Sequence, residues 1–450
     1  MAEERTCSCQ PTLKKTVSVL IWVSILTSSF DIVLSFEVFG VTVRTTQLLA
    51  AAVIAFFAVE IACGTKPKIP VSYGYLLVVL LMNTLWLYRA RSFRNALGYD
   101  LWLAFNIMEV LAFSHYLSTN ETLESLIRKY ILCFDVLAII GIVQFLLQFA
   151  GIRFFVTQFG ETPYGVMHRT NGFAYEPSYY ATYMLIGCAA CLYLLEKKNS
   201  RAMDKRILYA STVLNVGALL ISTSRMGWAI LAAYLISRSA LGLLRYVRKS
   251  THDKAELVKL FFIPLLILVL AGTIVLGVRQ GNTLAVVYTQ GLGLGGDIRS
   301  SGPRINALLD TWELFKSSPF LGFSLGGLDS EIAYRGGLAY TTELNGSFSM
   351  CVSAEALAAY GMIGAIFFFK YVYDTTIGCY RKIRMSGKIE QDLKQLIYAL
   401  LLGHVLIFAA LQLNQNILRQ PYWAHLAVIS AAQLLLTTER ERTSGKQVKQ

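Results

Sequence analysis

Long apolar runs separated by short polar segments set the pattern of this 450-residue chain. Runs such as 131–149 and 261–278 are long enough to cross a bilayer core of roughly 30 Å as helices. Counting runs of roughly twenty residues gives about twelve spans. The predicted spans are 16–34, 43–63, 71–88, 99–118, 129–150, 177–196, 206–222, 226–245, 257–279, 348–374, 394–413 and 420–437. This pattern predicts an all-α fold, a polytopic helical membrane protein.

Composition favours the same class of protein. Hydrophobic residues make up 55% of the chain and charged residues only 15%, whereas a soluble domain carries nearer a quarter charged residues. We expect a single transmembrane domain over 1–450, with a large extracytoplasmic loop at about 280–347 within it. The first apolar run lacks an exit of small residues and leads into a second run, so we expect no cleaved signal peptide.

The net charge of +13 is informative because of where the charged residues lie along the chain. The lysines and arginines cluster in short loops and in both tails, which is how cytoplasmic loops of membrane proteins look. This clustering accounts for the charge without nucleic-acid binding, and it places both termini in the cytoplasm. One loop disagrees, because Arg89, Arg91 and Arg94 would lie outside. Either a span is miscounted, or these arginines have an anionic partner on the outer side.

The long loop contains an amphipathic helix in "GPRINALLDTWELFKSSP". Pro303 suits the first helical position, and Pro319 ends the pattern. An apolar stripe at helical spacing consists of Ile305, Leu308, Leu309, Trp312 and Phe315. We expect this helix to lie flat at the membrane interface and to roof the bundle. The glycine-rich "GLGLGG" before it and "GFSLGG" after it are predicted to be flexible joints.

The stretch "HRTNGFAYEPSYYAT" lies at the outer mouth of a predicted span. Tyr175, Glu176 and Pro177 form a good helix start, since proline suits the first position and the helix dipole favours an acidic residue there. A helix cap accounts for Glu176 but not for His168 and Arg169, which lie only a few positions before it. A carboxylate beside an arginine can also orient a hydroxyl or accept its proton, and Arg169 can hold a phosphate with two hydrogen bonds.

Other arginines fall on the same predicted face. Arg225 follows Ser224 in a short turn between two spans, where it either anchors to lipid headgroups or points into a polar cavity. Arg299 and Arg304 lie in the long loop. They form either a solvated loop edge or a clamp that closes on a pyrophosphate leaving group.

A glutamate in the outer half of the tenth predicted span is a further candidate. Glu355 needs a partner in an apolar span, and an extracytoplasmic arginine is the expected one. Asn345 lies at the mouth of the same helix. Gly361 and Gly364, with the neighbouring alanines, indicate close helix packing.

The chain shows no signature for a cofactor. We find no Asp-x-Asp, no Walker loop and no zinc spacing, and the eight cysteines form no framework of disulfides or metal ligands. We therefore expect no metal and no cofactor. An enzyme of this kind must use a donor that is already activated and lies in the membrane.

Four segments, in this order, resemble the O-antigen polymerases and O-antigen ligases, a family of multi-span glycosyltransferases. The segments are "HRTNGFAYEPSYYA", "STSRMGW", "PRINALLDTWELFKSSPFLGFSLGG" and "AEALAAYGMIGAIFF". The resemblance covers most of residues 16–437. It implies an oligosaccharide donor on undecaprenyl pyrophosphate, a sugar hydroxyl as acceptor, and inversion without a metal. By position it implies that Arg169, Arg225 and Arg304 bind the pyrophosphate and that Glu176 is the acidic residue of the family's Glu-Pro-Ser motif.

One departure from the family favours the polymerase. The ligases are known for a histidine in the large loop or just before the next span, and residues 280–347 contain none, with His404 the next along the chain. The base is then Glu176 first, His168 second and Glu355 third. The partners would be the lipid-linked oligosaccharide, membrane lipids and a separate chain-length regulator where one exists. The alternatives are the ligase, a lipid flippase or transporter, and a non-catalytic assembly partner. The expected location is the bacterial inner membrane, with the site facing the periplasm.

Overall fold

The computed structural model describes residues 11–38, 41–162, 165–197, 203–248, 302–337, 351–386, 389–414 and 417–447. The predicted span at 257–279 lies outside the described residues, as do Arg299 and Asn345. Of the predicted long loop at 280–347, only 302–337 is described.

The described chain is almost entirely helical. The helices are α1 Pro11–Thr27, α2 Thr45–Ala62, α3 Tyr73–Leu85, α4 Phe93–Asn120, α5 Leu123–Leu147, α6 Pro177–Leu195, α7 Lys205–Ile221, α8 Arg225–Arg248, α9 Gly302–Ser317, α10 Leu328–Arg335, α11 Val352–Tyr373, α12 Cys379–Met385, α13 Gln391–Asn414 and α14 Gln420–Gln447. Two short antiparallel hairpins interrupt them. Their strands are β1 Ser35–Val38, β2 Val41–Arg44, β3 Phe159–Thr162 and β4 Gly165–His168.

Seven helices within the described ranges are long and apolar enough to cross a membrane. They are α2, α4, α5, α6, α8, α11 together with its continuation, and α13. Helices α1, α3 and α7 coincide with predicted spans but have only 17, 13 and 17 residues. The structure therefore confirms a helical membrane-protein class. The two hairpins are the departure from the all-helical expectation.

Helix α6 is the centre of the bundle, and it packs against α5, α7 and α13. Its middle turns carry the small residues Gly187, Cys188, Ala189, Ala190 and Cys191, all of which are buried. Small side chains let neighbouring helix backbones approach closely where the surrounding lipid supplies no hydrophobic drive for association. A Cβ atom on Gly187 would lie 2.3 Å from Oδ1 of Asn215 in α7, so this approach is already at its limit.

Helix α11 is broken at Gly361, which has φ 67° and ψ 176°. Side-chain-bearing residues rarely adopt this conformation, and only glycine does so readily. The oxygen of Phe320 lies where a Cβ on Gly361 would meet it at 2.4 Å. The predicted close helix packing is thus a close approach between α11 and the segment that follows α9.

The backbone groups freed by this break are taken up by the segment 319–324. The amide of Phe323 donates to the Ala358 carbonyl, and the amide of Ser324 donates to the Ala359 carbonyl, each at 3.0 Å. The amide of Met362 donates to the oxygen of Pro319 at 2.8 Å. Irregular backbone at membrane depth is tolerated where other protein groups satisfy it.

The segment "GFSLGG" is not the flexible joint that its glycines suggested. Residues 322–333 are buried between α3, α4 and α11. A Cβ on Gly322 would lie 1.9 Å from the Ala359 oxygen, and one on Gly326 would lie 2.8 Å from the Asn95 oxygen. Glycine is needed at these positions because two backbones touch and leave no room for a side chain. The glycines do not serve to make the segment mobile.

One of the three arginines that disagreed with the charge pattern, Arg91, has an anionic partner. Nε of Arg91 lies 2.6 Å from Oε2 of Glu331 in α10, and Arg335 pairs with the other oxygen of the same carboxylate at 2.9 Å. Arg89 donates to the backbone oxygens of Leu321 and Gly322 at 2.9 and 3.2 Å. The loop before α4 and the segment after α9 therefore lie on the same side of the bundle.

The amphipathic helix α9 forms where it was predicted, but four of the five residues of the predicted stripe face away from the bundle, while Phe315 is half-buried against it. Ile305 and Leu309 are 57% and 54% exposed, and Leu308 and Trp312 are exposed as well. The buried face consists of Ala307, Thr311 and Leu314. Small residues face α11 because the two helices pack closely, which leaves the large apolar stripe for the lipid rather than for the bundle.

Substituting Gly361→Ala is expected to destabilise the protein by roughly 1–3 kcal/mol through the backbone alone, with a further penalty from the clash with Phe320. Thermal unfolding in detergent measures it. The matched control is Gly217→Ala in α7, where a Cβ would meet no atom within 4 Å. Equal melting temperatures for the two variants would contradict the strain at Gly361.

Cysteines placed at Arg94 and at Tyr334 are expected to react from the same side of the membrane, since both residues are exposed and their segments are joined through Glu331. A membrane-impermeant thiol reagent on intact cells measures this, in a background without the native cysteines. A cysteine at Tyr380 in α12 serves as the control for the opposite end. Labelling of Arg94→Cys and Tyr334→Cys from opposite sides would refute the arrangement.

Candidate functional site

Several helix ends meet at one end of the bundle and carry the charged residues singled out above. The backbone amide of Asp31, after α1, donates to the Phe173 oxygen at 2.8 Å, just before α6. Arg169, also before α6, binds the turn that joins α7 to α8 at Thr223. Glu355, at the start of α11, binds Ile417 ahead of α14. These contacts make one polar surface from segments far apart in the chain.

The stretch before α6 is held in place by a buried glutamine. Oε1 of Gln144 in α5 accepts from the amides of Asn171 and Gly172 at 2.9 and 3.0 Å. Gly172 has φ +57°, and the ring of Tyr180 lies 2.8 Å from where its Cβ would be. The hydroxyl of Tyr180 donates to the Leu137 oxygen at 3.0 Å. Gly172 and Tyr180 thus shape the loop that carries Arg169 and Glu176, both of which are half-buried.

Arg169 connects two segments that the sequence singled out separately. Its Nε donates to Oγ1 of Thr223 at 3.0 Å, its NH2 to the oxygen of Thr223 at 3.3 Å, and its NH1 to Oε1 of Gln158 at 3.0 Å. Thr223 has φ +51°, a strained conformation for a β-branched residue. The structure therefore brings Arg169 to the turn that contains Ser224 and Arg225.

Within that turn, the serine and the arginine have different positions. Ser224 is buried, and its hydroxyl oxygen accepts from the amide of Gly227 at 3.4 Å, so it serves the start of α8. Arg225 is the first residue of α8 and is exposed. Of the two predicted binding residues, only Arg225 presents its side chain to the outside.

Glu176 precedes the first residue of α6. Its backbone oxygen accepts from the amides of Tyr179 and Tyr180, but its carboxylate makes no side-chain cap to the helix. Oε2 accepts from the hydroxyl of Ser178 at 2.8 Å. Tyr175 is 61% exposed, and its amide donates to Oδ2 of Asp31 at 3.1 Å. The carboxylate of Glu176 is thus half-buried at the helix mouth and does not act as a cap.

His168 ends strand β4. Its amide donates to Oε1 of Gln148 at 3.1 Å, and its ring packs edge-on against Phe159 with centroids 5.2 Å apart. Nδ1 is buried and finds no hydrogen-bond partner among the described residues. Burial, together with the nearby charge of Arg153, lowers the pKa of His168 below its ordinary value of 6.5. The imidazole is therefore neutral at pH 7 and able to accept a proton.

Glu355 is buried in the first turn of α11, and its Oε2 accepts from the backbone amide of Ile417 at 3.1 Å. One partner of this carboxylate is therefore a backbone amide, two residues before Arg419 in the chain. This contact ties α11 to the loop before α14, so Glu355 holds the architecture of the site in place.

Three residues that the sequence did not indicate lie beside this stretch. Asp31 pairs with Nε of Arg44 at 3.0 Å and with NH1 of Arg419 at 3.8 Å. The Arg419 guanidinium carbon lies 3.4 Å from the centroid of the Tyr179 ring. Asp31 and Arg44 fell inside the predicted spans 16–34 and 43–63, because hydropathy averages over the charges. The sequence feature that could have identified these two residues is a charge within a few positions of the end of a predicted span.

Three further predicted site residues have no described side chain. The backbone of Arg304 lies in α9, but its side chain is outside the described part, as are Arg299 and Asn345. Within the described ranges, no group of three histidine, cysteine or acidic side chains is placed to hold a metal ion.

Stability is expected to fall as the pH drops below about 6.5, because unfolded His168 takes up a proton before folded His168 does. The loss should stop once the pH passes the lowered folded pKa. Thermal unfolding at a series of pH values measures it, with His168→Gln as the variant that lacks this component. The substitution Arg153→Ala should raise the pKa of His168 and reduce the loss. Identical pH profiles for wild type and His168→Gln would contradict the shift.

Similarity to known proteins identifies no family for this chain: it matches no protein-family model, and no curated protein matches it. What points to a function is the arrangement of charged side chains at this end of the bundle.

Proposed function

We propose that the chain is a polysaccharide repeat-unit polymerase, a glycosyltransferase that resembles the O-antigen polymerases. It transfers a growing glycan from undecaprenyl pyrophosphate to a sugar hydroxyl of another lipid-linked unit. The site faces the periplasm of a bacterial inner membrane, both termini are cytoplasmic, and about twelve spans cross the bilayer. The reaction inverts the configuration and uses no metal.

The observation that carries this proposal is the contact between Arg169 and Thr223. It joins the stretch before α6 to the turn before α8, although 54 residues separate the two side chains along the chain. Arg169 and Arg225 thereby lie in one region, and Glu176 follows Arg169 in the chain at the start of α6. Cations together with a carboxylate are the groups that glycosyl transfer from a pyrophosphate requires.

The chemistry divides between the arginines and a base. As the bond between the sugar and pyrophosphate breaks, negative charge develops on the leaving group, and fixed guanidinium groups stabilise it. The acceptor hydroxyl attacks the anomeric carbon and loses one proton to a base. Donor pyrophosphate leaves on its lipid, and the glycan gains one repeat unit.

Glu176 is the preferred base. Its carboxylate is half-buried at the helix mouth and receives a hydrogen bond from Ser178. His168 comes second, since its lowered pKa keeps the imidazole neutral. Glu355 comes third, because its carboxylate accepts the Ile417 amide and is buried.

The ligase is the alternative within the same fold. It would carry out the same transfer with lipid A core as the acceptor. The difference lies in the acceptor alone, so an acceptor swap with purified protein separates the two activities.

A flippase or transporter is the alternative from another class, and an interrupted helix such as the one at Gly361 is a feature that it would have. Interrupted helices near the midplane are typical of transporter binding sites, where freed backbone groups bind the substrate. Here the freed carbonyls of Ala358 and Ala359 accept from the amides of Phe323 and Ser324. The break is filled by the chain itself, which supports a fixed scaffold rather than a substrate passage.

Substituting Arg225→Ala is expected to lower polymer formation by roughly 10²-fold, the usual effect of losing one group that stabilises the developing charge. The cell-surface glycan on a gel measures it, after membrane levels are matched. The control is Arg206→Ala, an exposed arginine at the start of α7, at the opposite end of that helix. Thr223→Val should give a smaller loss, because Arg169 keeps its charge but loses an anchor.

The pattern of products separates the candidates. A ladder that collapses to one repeat unit on an intact acceptor supports the polymerase. Loss of all repeat units from the acceptor, with polymer retained on the carrier, identifies the ligase. Lipid-linked units that build up on the cytoplasmic face identify a flippase. If Arg225→Ala gives the same ladder as the control Arg206→Ala, Arg225 is not part of the site.

A further inference from the structure

We infer that Arg44 and Arg419 form a second phosphate-binding site, which holds the pyrophosphate of the acceptor carrier during polymerisation. This inference rests on the proposed function and deepens it. A polymerase that joins two lipid-linked units must hold two polyprenyl pyrophosphates at once. Arg169 and Arg225 account for one of them.

The geometry begins with a carboxylate between two guanidinium groups. Asp31 lies 3.0 Å from Nε of Arg44 and 3.8 Å from NH1 of Arg419, and it accepts from the amide of Tyr175 at 3.1 Å. A phosphate group would accept from the same three donors, namely two guanidinium groups and one backbone amide. The Asp31 carboxylate therefore occupies the position that a phosphate would take.

Three helix N-termini meet at this point. Arg44 directly precedes α2, Glu176 precedes α6, and Arg419 precedes α14. The N-terminal end of a helix carries a partial positive charge and favours anions. The two arginines are balanced by the carboxylates of Asp31 and Glu176, so the attraction for an anion comes from the three helix ends.

Two hydrogen-bond donors around Asp31 have no acceptor among the described residues. Nε of Arg44 lies near Asp31 without the alignment of a hydrogen bond, and Nε of Arg419 likewise has no hydrogen-bond acceptor among the described residues.

The cleft runs inwards from the charged mouth. It is lined by the hydroxyl-bearing Ser28, Ser29 and Thr182, and by the apolar Ile407 and Leu411. Its free space is about 420 Å³ including the open mouth, but the interior has room for little more than one water molecule. A phosphate must therefore displace the Asp31 side chain, which lies on the loop between α1 and β1 and not on a helix.

The balance of charge suits a carrier that is bound but not cleaved. A donor site uses cations to stabilise the charge that develops on the leaving group. The Asp31 carboxylate that a phosphate displaces stays on the adjacent loop, where it offsets part of the charge of Arg44 and Arg419. The pair can hold a pyrophosphate in place and leave its bond to the sugar intact.

The two sites lie on either side of the same helix mouth. Arg169 comes eight positions before Pro177, the first residue of α6, and Arg419 stacks on Tyr179 in the first turn. Glu176 lies between Arg169 and Tyr179 in the chain. A base placed there can accept the proton of the acceptor hydroxyl as that hydroxyl attacks the anomeric carbon of the donor glycan.

The test is a count of bound pyrophosphate by native mass spectrometry, with the full-length protein in nanodiscs of phosphatidylcholine. The probe is farnesyl pyrophosphate, a short polyprenyl pyrophosphate. Wild type is expected to bind two per chain. The double variant Arg44→Gln/Arg419→Gln should bind one, Arg169→Gln should also bind one, and Arg206→Gln should bind two. One equivalent in wild type, or two in the double variant, overturns the inference.

A second variant guards against misfolding of the double substitution. Asp31→Asn removes the competing carboxylate and keeps the size of the side chain. It is expected to tighten farnesyl pyrophosphate binding at this site by about threefold, the scale of a partly exposed ion pair. Unchanged or weaker binding in Asp31→Asn would show that the carboxylate is not the competitor, and the inference would fail.

Phospholipid head groups also carry a phosphate, so a separate experiment must distinguish them from the pyrophosphate carrier. The count is repeated in nanodiscs that contain phosphatidylglycerol. Retention of two farnesyl pyrophosphates supports the carrier site. Displacement of the equivalent bound by Arg44 and Arg419 would make this a phospholipid site and overturn the carrier assignment.

Polymerisation of lipid-linked units by the same preparation keeps the two proposals apart. Polymer formation with only one bound pyrophosphate would refute the second site and leave the polymerase standing. Two bound pyrophosphates that depend on Arg44 and Arg419, without polymer, would refute the polymerase and leave a site for two lipid pyrophosphates.

Discussion

The satisfaction of backbone polar groups at the broken helix α11 is the constraint on which much of the structure depends. Gly361 frees carbonyls that no water at membrane depth could satisfy, and the amides of Phe323 and Ser324 take them up. This fixes the segment after α9 inside the bundle. That segment in turn carries Glu331, which holds the arginine loop before α4. A single glycine conformation is thus linked to the placement of an entire loop.

The charged groups gather at one end because helix ends meet there. Arg44, Glu176 and Arg419 are each the residue that precedes a helix, and Asp31 follows one. Charges are costly in the apolar middle of a span but are stabilised at a helix N-terminus or by an opposite charge. The two proposed phosphate sites share this origin. The carboxylate of Asp31 lies within one of them.

Several motif residues turned out to support the site rather than face it. Gly172 and Tyr180 pack on each other, and Ser224 serves the start of α8. Glu355 holds the loop before α14. A motif of this kind encodes both the shape of a loop and the groups the loop presents, and a substitution in it can abolish activity through either. Variants of Arg169 are therefore more informative than variants of its glycine neighbours.

The sequence by itself determined the class of the protein and the place of its helices, because the length and hydropathy of a membrane helix are set by the bilayer. It also indicated Arg169 and Arg225 as neighbours of helix ends. Only the tertiary structure decided which charges meet. Asp31 and Arg419 lie almost four hundred positions apart, and their pairing depends on how α1 and α14 pack. The outward stripe of α9 was decided in the same way, since periodicity shows that a face exists but not what covers it.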